Sequence, residues 1–159
     1  EYALGNSPLE YSREQVEGKT LIFNTTNGTK AVKKSMGSSD VVIGAFLNLS
    51  AVSGYLEASQ NDVILLCAGW KGRLALEDTL LAGAIIHKLY GGSLPDTAPD
   101  GAIVAFGLYE KYRDDIEKVI RQSNHAVRLA NIVKNDDVSY CSKTDLCDLV
   151  PVLTDGIIS

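Results

Sequence analysis

Three short apolar runs alternate with amphipathic stretches in the first half of the chain. The runs are Lys19–Asn24, Asp40–Phe46 and Asp62–Gly69, each rich in Val, Ile or Leu and bounded by Gly, Asn or Asp. Their apolar character is continuous rather than alternating, which is typical of strands that are buried on both faces. The pattern therefore predicts three buried β-strands.

Segments with the hydrophobic spacing of helices lie between the predicted strands. Residues 28–36 and 48–59 both show it, and Ser50 or Asn48 could cap the second helix. Strands that alternate with helices indicate βαβ units, which have right-handed crossovers and parallel strands. We expect a single α/β domain over residues 1–159, built as a three-layer α/β/α sandwich with a mainly parallel sheet.

The second half of the pattern is mostly helical. It predicts a helix over Glu77–Tyr90 that is apolar almost all round and ends at Gly91-Gly92, a helix over Ala102–Gln122 broken near Arg113, and a third over Asn124–Val133. The last residues suggest two or three short strands, with Pro151 favouring a sheet edge. These strands would make the C-terminal part of the sheet mixed.

Composition narrows the classes of function. A net charge of -5 gives the protein no long-range attraction for nucleic acid or for an anionic membrane. No apolar run approaches the ~18 residues of a membrane span. The three cysteines lack the spacing of a metal site, which fits a reducing, cytoplasmic setting. We expect a small anionic ligand, and neither a nucleic-acid nor a membrane partner.

The loops that follow the predicted strands contain the polar groups suited to chemistry. In open parallel sheets, ligands bind beyond the carboxyl ends of the strands. Residues 24–29, the turn that ends at Asn48, and residues 68–73 should therefore open on one edge of the sheet. The sequence predicts a pocket there, formed by hydroxyls, amides, cations and carboxylates.

The first of these loops is suited to an anion. In Thr25–Thr29 ("TTNGT"), Gly28 permits close backbone approach, Asn27 and Thr29 offer short polar side chains, and a helix N-terminus follows. A phosphoryl or carboxylate oxygen would be held well by such a loop. An ordinary strand-to-helix turn, in which Asn27 and Thr29 act as turn and capping residues, explains the same residues about equally well.

Glu77 and Asp78 open the longest apolar helix. Acids in the first turn of any helix complement its dipole, and that alone could explain them. However, Asp78 shares a stripe with Leu81, Ala82 and Ile85, so its carboxylate should face inward and need a cation. Lys71 or Arg73 could supply the charge, and so could Mg²⁺, which binds one or two carboxylates together with substrate oxygens.

The remaining polar candidates have ordinary alternatives. Lys71 and Arg73 are candidate anion contacts because they lie on the predicted active edge. Ser123 is first of all a helix cap, and His125 could be an anion contact, a proton carrier or a surface residue. His87 and Cys67 are expected to be structural.

Five stretches together resemble the 2-phosphosulfolactate phosphatases of the ComB type. They occur in the family's order over the whole chain: "LGNSPLEY" (Leu4–Tyr11), "TTNGT" (Thr25–Thr29), "CAGWKGRLALEDTLLAGAI" (Cys67–Ile85), "SNHAVRL" (Ser123–Leu129) and "VSYCSKTDLCDLVPVL" (Val138–Leu153). The block with the two adjacent acids is the specific part. "TTNGT" alone is a weak signal.

The resemblance implies a function and a set of site positions. It implies a three-layer α/β/α fold, a requirement for Mg²⁺ and hydrolysis of 2-phosphosulfolactate to sulfolactate and phosphate, a step of coenzyme M biosynthesis. The family motif positions are Asn27, Gly28, Thr29, Glu77, Asp78, Ser123 and His125. Asp78, with Glu77, is the candidate catalytic and metal-binding group.

The resemblance also implies that family chains extend beyond this one. They contain an N-terminal portion ahead of "LGNSP", and they usually have Gly where Ala126 stands. We therefore expect residues 1–159 to be the C-terminal, larger part of a longer family chain. The alternatives are a domain that binds a phosphorylated metabolite without hydrolysing it, and an incomplete subunit that needs a separate N-terminal segment or a homodimer partner.

Overall fold

The computed structural model describes residues 4–129 and 136–159. Its regular structure within those ranges is mainly helical. The α-helices are α1 (Arg13–Val16), α2 (Gly28–Ser35), α3 (Leu49–Ser59), α4 (Leu76–Leu89), α5 (Asp100–Tyr112), α6 (Ile116–Arg121), α7 (Asn124–Leu129) and α8 (Asp137–Cys141). Short 3₁₀ turns cover Pro8–Glu10, Phe46–Asn48 and Arg113–Asp115, and two strands follow, β1 (Leu153–Thr154) and β2 (Ile157–Ile158).

Helix α4 lies at the centre of the hydrophobic core. Its residues Leu80 and Ala84 are fully buried, and Val52 of α3 packs into the same cluster. Because α4 is covered by α3 on one side and by α5 on another, its sequence is apolar almost all round, as predicted. Packing of this helix fixes the position of Glu77 and Asp78 in its first turn.

The contact between α4 and α5 is unusually close. A β-carbon built on Gly83 would lie 2.1 Å from the carbonyl oxygen of Ala105 and 2.7 Å from Cβ of Tyr109. Only glycine permits the two helix backbones to approach this closely. Gly83 is therefore a point of close contact between α4 and α5.

Two predicted helix ends are confirmed. Helix α4 ends where Gly91 and Gly92 adopt positive φ angles, 58° and 84°, and Gly92 N–H donates to the carbonyl of His87. The second long helix is indeed interrupted at Arg113, where a 3₁₀ turn separates α5 from α6. The predicted helix at Asn124 is present as α7, and its continuation over residues 130–133 lies outside the described residues.

The predicted three-layer α/β/α sandwich is wrong. The sheet of the described residues has two antiparallel strands, β1 and β2, which pair Leu153 with Ile158. Beside it stands one isolated antiparallel bridge, Val42 to Val152. None of the three apolar runs forms a regular strand, and within residues 4–129 and 136–159 no parallel pairing is present.

The apolar runs have the composition of strands, but only the run 40–46 is seen to pair with a neighbouring segment, through the Val42–Val152 bridge among the described residues. Residues 62–67 make no backbone hydrogen bond with the described residues, and the side chains of Ile22 and Ile64 are 92% and 86% exposed. A strand, unlike a helix, satisfies its backbone groups only through an adjacent backbone. The prediction failed because residue composition reports strand tendency and not the presence of that partner.

The C-terminal residues confirm the prediction in part, since two short strands, β1 and β2, are present there, and differ from it in part. Residues 137–141 form α8 instead of a strand, capped by the Asp136 carboxylate, which accepts from Ser139 N–H. Farther on, the Asp145 carboxylate accepts hydrogen bonds of 2.6 Å from both the amide and the hydroxyl of Ser50. The C-terminal segment is thereby tied to the first turn of α3.

Asn48 has a structural role, in contrast to the prediction that its turn opens on the site. Its buried side chain accepts a hydrogen bond from Ala45 N–H at 2.8 Å and donates to the carbonyl of Leu149 at 2.9 Å. It therefore joins the entry of α3 to the C-terminal segment. Both polar atoms of the Asn48 side chain, Oδ1 and Nδ2, are used in these bonds, so this side chain is not placed to bind a ligand.

Candidate active site

A tight turn precedes the acidic end of α4. Trp70 and Arg73 exchange two backbone hydrogen bonds of 2.9 and 3.0 Å, and the central residues Lys71 and Gly72 have positive φ angles of 50° and 74°. These values are those of a two-residue hairpin turn, in which glycine is favoured. Gly69 is required too, since a β-carbon there would lie 2.6 Å from the Arg73 carbonyl oxygen. The turn presents Trp70 next to α4.

Asp78 is held by the backbone of this turn. Its Oδ2 accepts a hydrogen bond of 2.8 Å from Gly69 N–H. Burial raises the pKa of the Asp78 carboxyl and the neighbouring Glu77 charge raises it further, whereas the Gly69 and Ala68 amides and His125 act against the rise without cancelling it. The ionised carboxylate is therefore costly to keep where it stands, and a cation beside it would stabilise it.

Glu77 is hydrogen-bonded to His125, which lies 48 residues later in the sequence. His125 Nδ1 lies 2.8 Å from Glu77 Oε1, with both side chains about one-third exposed. The other carboxylate oxygen, Oε2, is buried and has no hydrogen-bond partner among the described residues. A buried carboxylate oxygen without a donor is costly, so this atom is suited to a ligand that the polypeptide does not supply.

Trp70 orders the groups around His125. The indole stacks on the imidazole at 6.0 Å between ring centres. Lys71 Nζ lies 5.1 Å and Arg128 Cζ 5.4 Å from the centre of the same indole, both at cation–π distance. Two cations and a histidine are thus gathered on one aromatic ring, beside the two acids of α4.

The Thr25–Thr29 loop meets Asp78 at a shared cavity. Gly28, Cys67, Ala68 and Asp78 all line a cavity of about 550 Å³. However, the hydroxyls of Thr25 and Thr29 are used inside the loop, where each accepts a hydrogen bond of 3.1 Å from the other residue's amide. The loop is therefore stabilised as a turn, and Gly28 is the member that lines the cavity with Asp78.

The other predicted residues are placed less directly. Ser123 is buried and caps α7, since its hydroxyl accepts from Ala126 N–H at 3.1 Å. Asn27 precedes α2, and its carbonyl accepts from the amides of Lys30 and Ala31, with no cap by its side chain. The Arg73 side chain is exposed, and the Arg73 backbone is hydrogen-bonded to the backbone of Trp70.

His87 has the structural role expected from the sequence, whereas Cys67, expected to pack at the end of a buried strand, is exposed and lies in no strand. His87 lies 3.2 Å from both Glu110 and Arg113 and packs on Phe106, so it joins α4 to α5. Desolvation, followed by the Asp78 charge, raises the pKa of the Cys67 thiol, which opposes the thiolate that a nucleophile requires.

Sequence reasoning missed Arg128 and the stacking role of Trp70. Arg128 follows His125 by three positions in α7, and residues at that spacing share a helix face. That spacing was the available signal. Nothing local in the sequence indicated that α7 would bring this face to the Trp70 turn.

Comparison with known proteins places the chain in a family. The profile of the 2-phosphosulpholactate phosphatase family matches residues 1–156. A protein of Thermotoga maritima named probable 2-phosphosulfolactate phosphatase is 42% identical over 98% of this chain and 66% of its own length. One of Caldanaerobacter subterraneus subsp. tengcongensis with the same name is 40% identical over 99% of this chain and 65% of its own length.

The match is extensive but does not cover the relatives completely. A third protein of that name, from a Cyanothece species, is 36% identical over 95% of this chain and 64% of its own length. The chain thus spans about two-thirds of the length of these curated relatives. No helix of the described residues is long and apolar enough to cross a membrane. The chain belongs to the 2-phosphosulpholactate phosphatase family.

Proposed function

We propose that this chain contributes the catalytic groups of a magnesium-dependent phosphatase, which hydrolyses 2-phosphosulfolactate to sulfolactate and phosphate. Membership of the family supports the reaction type. The hydrogen-bonded pair of Glu77 and His125 is the observation that carries the proposal, because it positions a histidine beside two carboxylates and two cations. A role in coenzyme M biosynthesis remains a prediction from the resemblance.

His125 is the proton carrier in this proposal. When Nδ1–H donates to Glu77, the tautomer is fixed and Nε2 carries the free lone pair. Trp70 stacks on the ring and limits its rotation. Water attacks the phosphorus atom, the bond from phosphorus to the ester oxygen breaks, and His125 Nε2 takes a proton from the water and returns one to the leaving oxygen.

Glu77 and Asp78 are the residues that would hold Mg²⁺. The fit depends on the buried, unpartnered Oε2 of Glu77 and on the carboxylate of Asp78, whose ionised form burial disfavours. Mg²⁺ usually binds one or two protein carboxylates and completes its shell with water and substrate oxygens. The described residues contain no group of three or more metal-ligating side chains, so the ion would depend on these two carboxylates together with water and substrate oxygens. When bound, Mg²⁺ would neutralise charge on the phosphoryl oxygens.

Lys71 and Arg128 would bind the anionic ends of the substrate. A net charge of -5 provides no general attraction for a phosphate and sulfonate ester, so local cations have to supply it. Both side chains are positioned by the Trp70 indole. Gly28, on the cavity wall with Asp78, offers the backbone approach that a phosphoryl oxygen needs.

The test is phosphate release from 2-phosphosulfolactate, with and without Mg²⁺. His125→Asn keeps an N–H for Glu77 but removes Nε2, so kcat should fall by about 10²–10⁴-fold. His87→Asn is the matched control, because the sequence has only two histidines and His87 lies between α4 and α5. An unchanged rate for His125→Asn contradicts its role as proton carrier. Equal rates for wild type and Asp78→Asn, or rates independent of Mg²⁺, contradict the metal assignment.

A second candidate is a domain that binds the phosphate ester without hydrolysing it. The unpaired backbone of residues 62–67, which lines the same cavity as Asp78, favours it, because a site with an open wall admits water and holds its groups loosely. Isothermal titration with 2-phosphosulfolactate separates the two functions. Tight binding with no phosphate released over hours supports the binding domain, and turnover excludes it.

A further inference from the structure

One edge of the segment 40–44 is paired and the other is free. Ile43 N–H donates to the Pro151 carbonyl at 3.0 Å, and Leu153 N–H donates to the Val41 carbonyl at 2.9 Å. In an antiparallel pair, successive residues direct their amide and carbonyl groups to opposite sides. The amide and carbonyl of Val42 therefore point away from residues 151–153, and they make no backbone hydrogen bond with the described residues.

The segment 62–67 ("DVILLC") is free on both sides. None of its amides or carbonyls bonds to a described residue. Leu65 packs against the helical core, whereas Ile64 is 86% exposed and Leu66 is 42% exposed. An apolar, unpaired segment of high β-propensity is a template for another strand.

The two segments line one apolar slot. Both contribute to the cavity of about 550 Å³, together with side chains of α2, α3 and α4. Val52, Leu81 and Ile85 supply part of its wall from the helices. Unpaired backbone at Val42 and at residues 62–67 offers hydrogen bonds, and these helical side chains offer apolar contact. Such a slot suits an extended polypeptide better than a small polar ligand.

The length of the relatives indicates what fills the slot. The Thermotoga maritima protein matches 98% of this chain, so counterparts of the slot residues are present in it, and a third of its own length lies outside the match. That third is on the same polypeptide as the slot, which gives it an effective concentration of about a millimolar or more. A second copy of the chain has no such advantage.

We propose that the slot between residues 40–44 and 62–67 receives a β-strand from the third of the family chain that lies outside these 159 residues. The strand pairs with the free edge of Val42 and with residues 62–67, and it covers Ile64 and Leu66. Gly28 and Asp78 line the same cavity as the slot, so the inserted segment closes the wall of the candidate active site. The proposal concerns chain pairing and stands whether or not the site hydrolyses a phosphate ester.

The test compares this chain with a chimera that also contains the unmatched third of the Thermotoga maritima relative, placed where the relative has it. Hydrogen exchange followed by mass spectrometry reports on the amides of residues 62–67. We expect exchange there to slow by 100-fold or more in the chimera, with β2 (Ile157–Ile158) as the internal reference. Equal exchange in the two proteins overturns the proposal. So does protection in the shorter chain that rises with its concentration, which indicates a second copy instead.

Matched variants test the side-chain part of the proposal. Ile64→Asp should remove the protection in the chimera and leave the melting temperature of the 159-residue chain unchanged, because Ile64 is exposed there. Leu149→Asp, at a side chain that is 70% exposed outside the slot, should leave the protection intact. Loss of protection in both variants, or in neither, overturns the assignment of the slot.

A measurement on the natural relative covers the case in which the chimera does not fold. Amides of the Thermotoga maritima protein aligned with residues 62–67 should be as well protected as its helical core. Cys67, which lines the slot, and Cys141 are both exposed in the 159-residue chain, so in the chimera the alkylation of Cys67 should slow by 10-fold or more relative to that of Cys141. Fast exchange of those amides in the relative overturns the proposal.

Discussion

Two stretches of this chain are both mainly apolar and have opposite surroundings. Residues 80–86 of α4 ("LLAGAII") are almost entirely buried, whereas residues 62–67 ("DVILLC") are largely exposed. A helix satisfies its backbone hydrogen bonds internally and needs only side-chain contacts to be buried. A strand needs an adjacent backbone as well. Hydrophobicity alone therefore does not decide which stretch is buried.

The same difference in surroundings means that α4 and residues 62–67 contribute unequally to the free energy of unfolding. Burial of α4 against α3 and α5 provides the apolar contacts that favour the folded state. Residues 62–67 have few such contacts and make no backbone hydrogen bond with the described residues, and Ile22 is 92% exposed, which are the properties of segments with low local stability. Mutations of similar chemistry should thus have very different effects in the two regions.

The largest contrast is expected between Leu80→Ala and Ile22→Ala. Leu80 is 0% exposed, so its truncation should lower the free energy of unfolding by about 2–5 kcal/mol. Ile22 is 92% exposed, and its truncation should change that free energy by less than about 0.5 kcal/mol. Urea unfolding followed by far-UV circular dichroism measures both. Similar losses in the two variants would show that the exposed run is packed in solution.

The contact between α4 and α5 gives the next largest effect. Gly83→Ala places a methyl group 2.1 Å from the Ala105 carbonyl oxygen, so the helices have to separate, and we expect a loss of about 1–3 kcal/mol. Gly107→Ala, in α5, meets no atom within 4 Å and should stabilise the protein by about 0.5–1 kcal/mol through helix propensity. Thermal unfolding of the two variants should therefore shift in opposite directions. A stabilising Gly83→Ala would contradict the close approach.

The helices and the acidic end of α4 could be predicted because their signals are local. All-round apolar spacing, two glycines at the C-terminus and two acids at the N-terminus define α4 within 16 or so residues. The inward stripe that contains Asp78 also indicated its partial burial, which the structure shows together with a bond from Gly69. A helix can be predicted from sequence periodicity alone because its backbone hydrogen bonds join residues that are close in sequence.

The sheet and the histidine pair depend on contacts that are distant in sequence. The three apolar runs were interpreted as a parallel sheet, although composition contains no information on pairing. Glu77 and His125 were both predicted as site residues, but their hydrogen bond joins α4 to α7 and has no local signal. Arg128 was missed for the same reason, since only the position of α7 brings it to Trp70.

A smaller effect is expected where the C-terminal segment supports the helical core. Partial burial acts to raise the pKa of Asp145, but the hydrogen bonds from Ser50 and the charge of Lys88 outweigh it and hold the pKa below its ordinary value. Asp145→Ala removes two bonds at the first turn of α3 and should cost about 1 kcal/mol, as loss of a helix cap does. Asp148→Ala is the control, because that exposed side chain makes no bond with the described residues.

The pH dependence of the Asp145 effect follows from the lowered pKa. A carboxylate with a lowered pKa in the folded state stabilises that state above its ordinary pKa, and the stabilisation is lost as the pH falls through the folded value. The difference between wild type and Asp145→Ala should therefore be full at pH 7 and disappear in strong acid. A difference that is constant over this range would show that the Ser50 bonds do not depend on the charge.

The smallest changes in stability are expected at Asp100 and Asp78, which lie in the first turns of the neighbouring helices α5 and α4. Asp100 is exposed in the first turn of α5, where its charge complements the helix dipole, so Asp100→Asn should cost about 0.3–1 kcal/mol.

Burial raises the pKa of Asp78, so between its ordinary and raised pKa values the folded state binds more protons than the unfolded state, and the free energy of unfolding falls as the pH rises. Asp78→Asn removes that penalty and keeps an acceptor for Gly69, so it should raise the melting temperature of the metal-free protein at pH 7. The gain should vanish below the ordinary pKa of Asp, and added Mg²⁺ should reverse the order of the two proteins, because only the carboxylate binds the ion. If instead Asp78→Asn is destabilising without metal, the carboxylate has a cationic partner in the polypeptide, and α4 opens with an ordinary ion pair.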